Sequence, residues 1–189
     1  MKRLGIAALA AAALLAHAQQ RGPSPQELIA QQREALKPLS IIDGVWRGPA
    51  WTLQPDGSKR SITQTERIGP FLDGSVKLIE GRGYEADGRV GFNAFGVVYY
   101  DTAKKAYGFR SWALGRGGDF KFDVRPDGYA WELPFPGGKV SYVATIQGNK
   151  FREIGHSVME GKPPVQIFEM NLERVGDTDW PLGTPISPK

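Results

Sequence analysis

Residues 41–51 read IIDGVWRGPAW, an apolar run in which a Gly-x-Trp is followed five residues later by a second tryptophan. Gly44, Trp46 and Trp51 stand where a helix-like pattern gives way to strand-like sequence. An indole ring buries a large apolar area, and a glycine beside it lets the backbone approach that packing closely. We therefore expect this stretch to be the first strand of a small closed β-barrel.

The first eighteen residues have the pattern of a secretory signal peptide. A basic pair at residues 2–3 precedes a short apolar run over residues 4–15, and the AHA at residues 16–18 supplies an A-x-A cleavage site. The run is shorter than the ~20 apolar residues that a membrane-spanning helix needs. We predict cleavage near Ala18 and a secreted or periplasmic protein that does not span the membrane.

Composition narrows the classes of function. The chain has no cysteine, which excludes disulfides, thiolate metal sites and a lipid-anchored cysteine. Its net charge is +4, and without Lys2 and Arg3 the basic residues are scattered rather than clustered, so we expect no nucleic-acid partner. His17 belongs to the predicted signal peptide, which leaves His156 as the one histidine for metal, haem or acid–base chemistry. We predict no resident metal.

The chain divides into a signal peptide, a helical segment, a β domain and an extended tail, at residues 1–18, 19–38, 39–175 and 176–189. In the helical segment, Ser24 and Glu27 are spaced for a capping box, and Pro25 suits the first helical turn. We expect this helix to lie against the barrel, where it could plug one mouth; the alternative is a helix that binds a partner.

Turn signals divide residues 41–175 into about ten strands. Asp-Gly and Gly-Gly pairs supply the positive φ angles of short hairpins, so consecutive strands should be antiparallel neighbours. The predicted turns lie at residues 55–57, 73–74, 87–88, 104–105, 117–118, 127–128, 137–138, 148–149 and 161–162. The predicted fold is all-β, an antiparallel up-and-down barrel of about ten strands preceded by one α-helix, because closure removes exposed edges. A two-sheet sandwich is the alternative.

Several phrases of the sequence resemble known families. Gly44-Val45-Trp46 resembles the Gly-x-Trp signature of the calycin superfamily, which includes lipocalins, fatty-acid-binding proteins and nitrobindin-like haem proteins. The phrases GVWRGPAW, ERIGPFLDGSVKLIEGRGY, AYGFRSW and REIGH followed by FEMNLERV are similar to an uncharacterised family of secreted bacterial lipocalin-like proteins. The resemblance covers most of residues 39–175. It implies that Trp46 closes the barrel floor beside Arg174.

Strand alternation selects polar residues that share a face with apolar neighbours, where an inward charge needs a partner or a ligand. These predicted ligand-binding residues are Arg110, Arg82, Tyr84, Trp112, Glu80, Glu66 and His156. We interpret them as a polar cluster that fixes the head group of a small apolar or amphipathic molecule, as arginine and tyrosine do in fatty-acid-binding barrels. The alternative is that Glu80 and Glu66 pair with Arg82 and Arg110 inside a filled barrel.

Two other functions stay open. A haem-binding protein or an acid–base enzyme could centre on His156, since nitrobindin-like proteins hold haem through a histidine near the carboxyl end. His156, however, is on the penultimate predicted strand rather than the last. The third possibility is an envelope scaffold or interaction protein, because a fold does not dictate function. We predict no catalytic residue and no cofactor for the binding function.

Overall fold

The computed structural model describes residues 22–178, 180 and 186, so the predicted signal peptide and most of the tail lie outside the described residues. Helix α1 (Pro25–Leu36) is followed by a 3-10 helix (Lys37–Ile42) and ten strands. The strands are β1 (Gly44–Leu53), β2 (Lys59–Phe71), β3 (Val76–Tyr84), β4 (Val90–Asp101), β5 (Ala106–Ala113), β6 (Arg116–Arg125), β7 (Gly128–Phe135), β8 (Gly138–Gln147), β9 (Lys150–Met159) and β10 (Val165–Gly176).

The strands form one closed antiparallel barrel. Each strand pairs with the next in sequence, and β10 pairs with β1 to close the sheet. The predicted all-β barrel of ten strands preceded by one helix is confirmed, and the sandwich is excluded. Because partners in register share a face, the inward positions of one strand fix those of its neighbours all round the barrel.

Helix α1 lies at one end of the barrel. Its capping box is formed: the Ser24 side chain accepts from the Glu27 amide, and the Glu27 carboxylate accepts from the Ser24 amide. Arg33 Nε donates to the carbonyl of Asp73 at 2.6 Å, and the Tyr107 hydroxyl donates to the carbonyl of Ala35 at 2.6 Å. In the described residues, no helix has the length and apolar character to cross a membrane.

A floor of four fully buried side chains closes this end of the barrel. Leu39 and Ile42 come from the 3-10 helix, Trp46 from β1 and Phe151 from β9. The indole Nε1 of Trp46 donates to the carbonyl of Ile42 at 2.9 Å, and its ring meets the edge of Phe151 at 5.5 Å. The guanidinium of Arg174 lies 5.9 Å from the Trp46 ring. The 3-10 helix, rather than helix α1, thus supplies the side chains that close this mouth of the barrel.

Asp43 and Gly44 join the floor to the first strand. Asp43 forms an ion pair with the buried Lys77, and its carbonyl accepts from Arg174 Nη2 at 3.0 Å. Burial lowers the pKa of Lys77 and raises the pKa of Asp43. Gly44 has a φ of +141°, and a Cβ there would lie 3.0 Å from Nε and Nη2 of Arg174 and from the carbonyl oxygen of Gly176. A side chain at residue 44 would therefore disrupt the junction.

One predicted turn is misplaced. The hairpin between β5 and β6 turns at Leu114 and Gly115, with φ of +51° and +76°, rather than at Gly117-Gly118. Gly117 instead lies within β6, where a Cβ would be 2.5 Å from the Trp112 ring. The glycine pair therefore makes room for a neighbouring indole, and the turn falls on a leucine whose left-handed conformation the sequence does not signal.

Trp46→Phe should lower the free energy of unfolding by about 2–4 kcal/mol, because it leaves a cavity in the floor and the buried carbonyl of Ile42 without its donor. Urea unfolding followed by circular dichroism measures this change. Trp112→Phe is the matched control, since Trp112 is 45% exposed. Equal losses in the two variants would contradict the assigned role of the floor.

Candidate functional site

Three buried polar side chains lie inside the barrel beside the floor. Gln64 and Glu66 come from β2 and Glu153 from β9, and they are 3%, 8% and 7% exposed. Glu66 is the register partner of Trp46, and Glu153 is the next inward position after Phe151 toward the far mouth. We call Gln64, Glu66 and Glu153 the polar layer.

Neutral donors hold the polar layer in place. Gln64 Nε2 donates to Glu66 Oε1 at 2.7 Å. Glu153 accepts from the indole Nε1 of Trp131 at 2.9 Å and also from the hydroxyl of Tyr129. No lysine or arginine of residues 22–178 forms an ion pair with Glu66 or Glu153 within 4.0 Å. Two carboxyl groups therefore share the interior, and the described part of the chain places no cation beside them.

Two glycines of β3 make room for the polar layer. Gly81 is the register partner of Glu66, and Gly83 is the partner of Gln64. A Cβ on Gly81 would lie 2.8 Å from Glu66 Oε1, and one on Gly83 would lie 3.2 Å from Gln64 Oε1 and 2.5 Å from the Ile62 side chain. The lack of a side chain at these two positions of β3 is thus what lets the polar groups of β2 occupy the interior.

Burial controls the charge of the two carboxyl groups. Burial is the main cause that raises the pKa of Glu66 to about 8; the hydrogen bond from Gln64 opposes this rise, and the nearby Glu153 and Glu80 contribute to it. Burial also raises the pKa of Glu153 to about 7, against the hydrogen bonds from Trp131 and Tyr129. Near neutral pH the pair therefore holds at least one proton, since ionising a desolvated carboxyl without a cation is costly.

Aromatic rings line the barrel from the polar layer toward the far mouth. The rings nearest the floor, Phe122 and Tyr129, are buried and stacked at 5.1 Å. Trp131 and Tyr142 stack at 4.2 Å with an interplanar angle of 7°. We call four of the inward rings nearer the mouth the aromatic wall: Phe120, Trp131, Tyr142 and Phe168. These four keep part of their surface accessible although they point into a closed barrel, so open space adjoins them.

The predicted residues of β3 lie on the outer face of the barrel. Glu80, Arg82 and Tyr84 alternate with Gly81, which faces inward as the partner of Glu66. Glu80 accepts from Arg82 Nη2 at 2.7 Å, so the ion pair that sequence suggested for a filled interior forms outside. The prediction took the outer face of β3 for the inner one, because the inner face carries Gly81 and Gly83 and glycine contributes nothing to a hydrophobic pattern.

The predicted residues of β5 are also on the outer face. Phe109 points inward, so Arg110 and Trp112 point outward. Arg110 Nη1 lies 3.6 Å from Asp119 Oδ2. The ring of Trp112 stacks on that of Phe95, with the ring centroids 6.3 Å apart. Exposed aromatic packing on the outside of the barrel gave this strand its misleading pattern. Of the predicted ligand-binding residues, only Glu66 lies inside.

His156 lies on the outer face of β9, opposite Ser141 and Gln166 and alternating with the inward Gly155. It is the one histidine in the part of the chain that the structure describes. A haem held inside the barrel could not be ligated by His156 from that side, so the described residues do not fit the haem alternative. Nor does any group of three or more His, Asp or Glu side chains among them come together to hold a metal ion.

An open groove of about 430 Å³ lies at the rim, between residues 93–95 of β4 and residues 112–117. Its walls include the outward stack of Phe95 and Trp112 and the exposed Leu114. The groove is therefore distinct from the polar layer and belongs to the outer rim.

The fold can be compared with known proteins. No family model matches the chain, and neither does any curated protein. A comparison with solved structures finds the crystal structure of Rv2717c from M. tuberculosis, with 14% identity and a TM-score of 0.56 over 74% of this chain and 96% of that one. The two share a fold. The shared fold agrees with the closed barrel that the resemblance implied, and membership of the calycin superfamily and of the narrower secreted family stays a prediction.

Glu66→Gln should flatten the pH dependence of stability. Folding raises the pKa of Glu66 from 4.5 to about 8. The stability that comes from keeping Glu66 neutral is therefore fully present below about pH 4.5, and it is lost as the pH rises through about 8. The free energy of unfolding of the variant should match that of the parent at pH 4.5 and exceed it at pH 9 by up to about 5 kcal/mol. Urea unfolding across this pH range measures the difference.

Glu173→Gln is the control, since Glu173 is exposed on β10. The slope left in the Glu66 variant should come from Glu153. Parallel pH profiles for the Glu66 variant and the parent protein would contradict the assigned burial.

Proposed function

We propose that the barrel binds a small amphipathic molecule without catalysing a reaction. The observation that carries the proposal is the gradient along the interior, from the polar layer beside the floor to the partly accessible aromatic wall. Ligand sites of this kind are concave and mostly apolar, with a few polar groups that fix orientation. The polar end of the ligand would lie against Glu66 and Glu153, and its apolar part against Trp131 and Tyr142.

Energetics support a binding role for the polar layer. Replacing buried charged or polar groups with apolar side chains of similar volume is often neutral or stabilising. A barrel selected for stability alone would therefore have little use for Gln64, Glu66 and Glu153 in its interior. Their retention beside accessible aromatic rings favours a ligand that uses them.

The mouth opposite helix α1 is the proposed entrance. Five short connections surround it, at residues 54–58, 85–89, 114–115, 136–137 and 160–164, whereas the other end is closed by the floor. A ligand that enters here passes the aromatic wall before it reaches the polar layer.

The protein should bind N-phenyl-1-naphthylamine, a neutral apolar probe whose fluorescence rises on burial. Trp131→Ala should weaken binding about tenfold or more, which corresponds to ~1.4 kcal/mol of lost contact. Trp112→Ala should leave the affinity within about twofold, because Trp112 lies on the outer face. The proposal fails if the probe does not bind, or if both variants lose affinity equally.

We further propose that the protein is exported, on the strength of residues 1–18 alone. When it is expressed with residues 1–18 in a bacterial host that has a periplasm, the protein should be recovered from the periplasm. Its mass should be that of a chain that begins at Gln19. Recovery from the cytosol with the leader retained would argue against export.

A further inference from the structure

The two buried carboxyl groups restrict the charge of the ligand. Each is more than nine-tenths buried, and the donors that reach them are the neutral Gln64, Trp131 and Tyr129. In a low-dielectric interior an unpaired carboxylate is unstable, whereas one that meets a cation and donors is strongly favoured. The ligand group that best complements such a pair carries positive charge and several hydrogen-bond donors.

Three basic side chains near the ends of the interior, Lys77, Arg174 and Arg60, already have partners. At the closed end, Lys77 pairs with Asp43, and Arg174 donates to the carbonyl of Asp43 and to Asp177. At the open end, Arg60 pairs with Glu85. A ligand carboxylate placed at the polar layer would therefore meet two carboxyl groups rather than a cation.

The aromatic wall provides the second, independent observation. Trp131 and Tyr142 stack on each other beside Glu153, and the ring surface that this stack leaves uncovered remains partly accessible inside the barrel. Electron-rich ring faces attract ammonium groups, most strongly when water is excluded. An ammonium group adjacent to an apolar chain would thus find both carboxyl acceptors and ring faces in one place.

We infer that the ligand is a cationic amine with an apolar body, held by Glu66 and Glu153 with its apolar part against Trp131 and Tyr142. This inference rests on the proposed binding function and names the ligand class for the same site. An ammonium group offers three donors, which suits two carboxyl groups approached from one side. The ligand is thereby distinguished from the carboxylates that a basic interior would select.

Binding of an amine should be coupled to proton release. The titratable groups that face the pair are Tyr129 from β7 and Tyr142 from β8, and Glu80 contributes from the outer face of β3. Both tyrosines have a raised pKa and stay neutral, so the two glutamates are the groups that titrate between pH 5 and pH 9. Affinity for an amine should accordingly rise with pH over this range.

The test uses three probes of equal chain length: octylamine, 1-octanol and octanoic acid. Their affinities for the full folded barrel are measured by displacement of N-phenyl-1-naphthylamine at pH 7.5. Octylamine should bind at least about tenfold more tightly than 1-octanol, and octanoic acid more weakly than both. Calorimetry in two buffers of different ionisation enthalpy should show proton release with octylamine and none with 1-octanol.

The double variant Glu66→Gln with Glu153→Gln should lose the preference for octylamine and the proton release while it keeps 1-octanol binding. Glu173→Gln is the control with one exposed carboxyl removed. If the double variant does not fold, each single substitution should reduce the preference. Equal or tighter binding of 1-octanol or octanoic acid by the parent overturns the amine inference alone. Failure of all three probes and of N-phenyl-1-naphthylamine overturns the proposed function as well.

Discussion

The burial of Trp46 against the 3-10 helix is the interaction on which the rest of the molecule depends. Its hydrogen bond to Ile42 and its contact with Phe151 join the segment before the barrel to both β1 and β9. A barrel of ten strands has two mouths, and an apolar interior open at both ends would expose its core to water. Closing one end with an indole leaves a blind interior with a single entrance.

The polar layer follows from this closure. Glu66 is opposite Trp46 in register, so the floor shields it from water on one side and the barrel wall shields it on the others. The same burial that raises its pKa makes it a strong acceptor for a ligand that supplies a charge. Burial of these carboxyl groups therefore costs stability once they ionise, and the cationic ligand proposed above would offset that cost.

The architecture could be predicted from sequence far better than the site. Hairpin turns and period-two alternation specify the number and order of the strands, and over β6 and β7 the alternation in sequence places Phe122, Tyr129 and Trp131 at positions that face inward in the structure. Alternation gives two faces without saying which is inside. On β3 the inward face carries Gly81 and Gly83, whose lack of side chains hides it from any hydrophobic count.

The residues missed at the site have the same explanation. Glu153 shares the inward face of β9 with Phe151 and Gly155. The outer face carries Ile154 and Val158, whose stronger apolar pattern makes His156 rather than Glu153 look like the inward polar residue in sequence. The alternation of Glu153 with Phe151 was the available clue. The face that carries Glu153 can be recognised as the inner one only from the packing of Tyr142, on β8, over Gly155. This contact joins two strands, so no pattern within one strand reveals it.

Burial of the polar layer is tested most directly by a carbon-13 NMR titration of the glutamate side-chain carboxyl groups in the ligand-free protein. We expect two carboxyl resonances, assigned to Glu66 and Glu153 by the Gln variants, that titrate as a coupled pair with midpoints near the values of about 8 and about 7. Titration of every glutamate below about pH 5, as in exposed carboxyl groups, would contradict it.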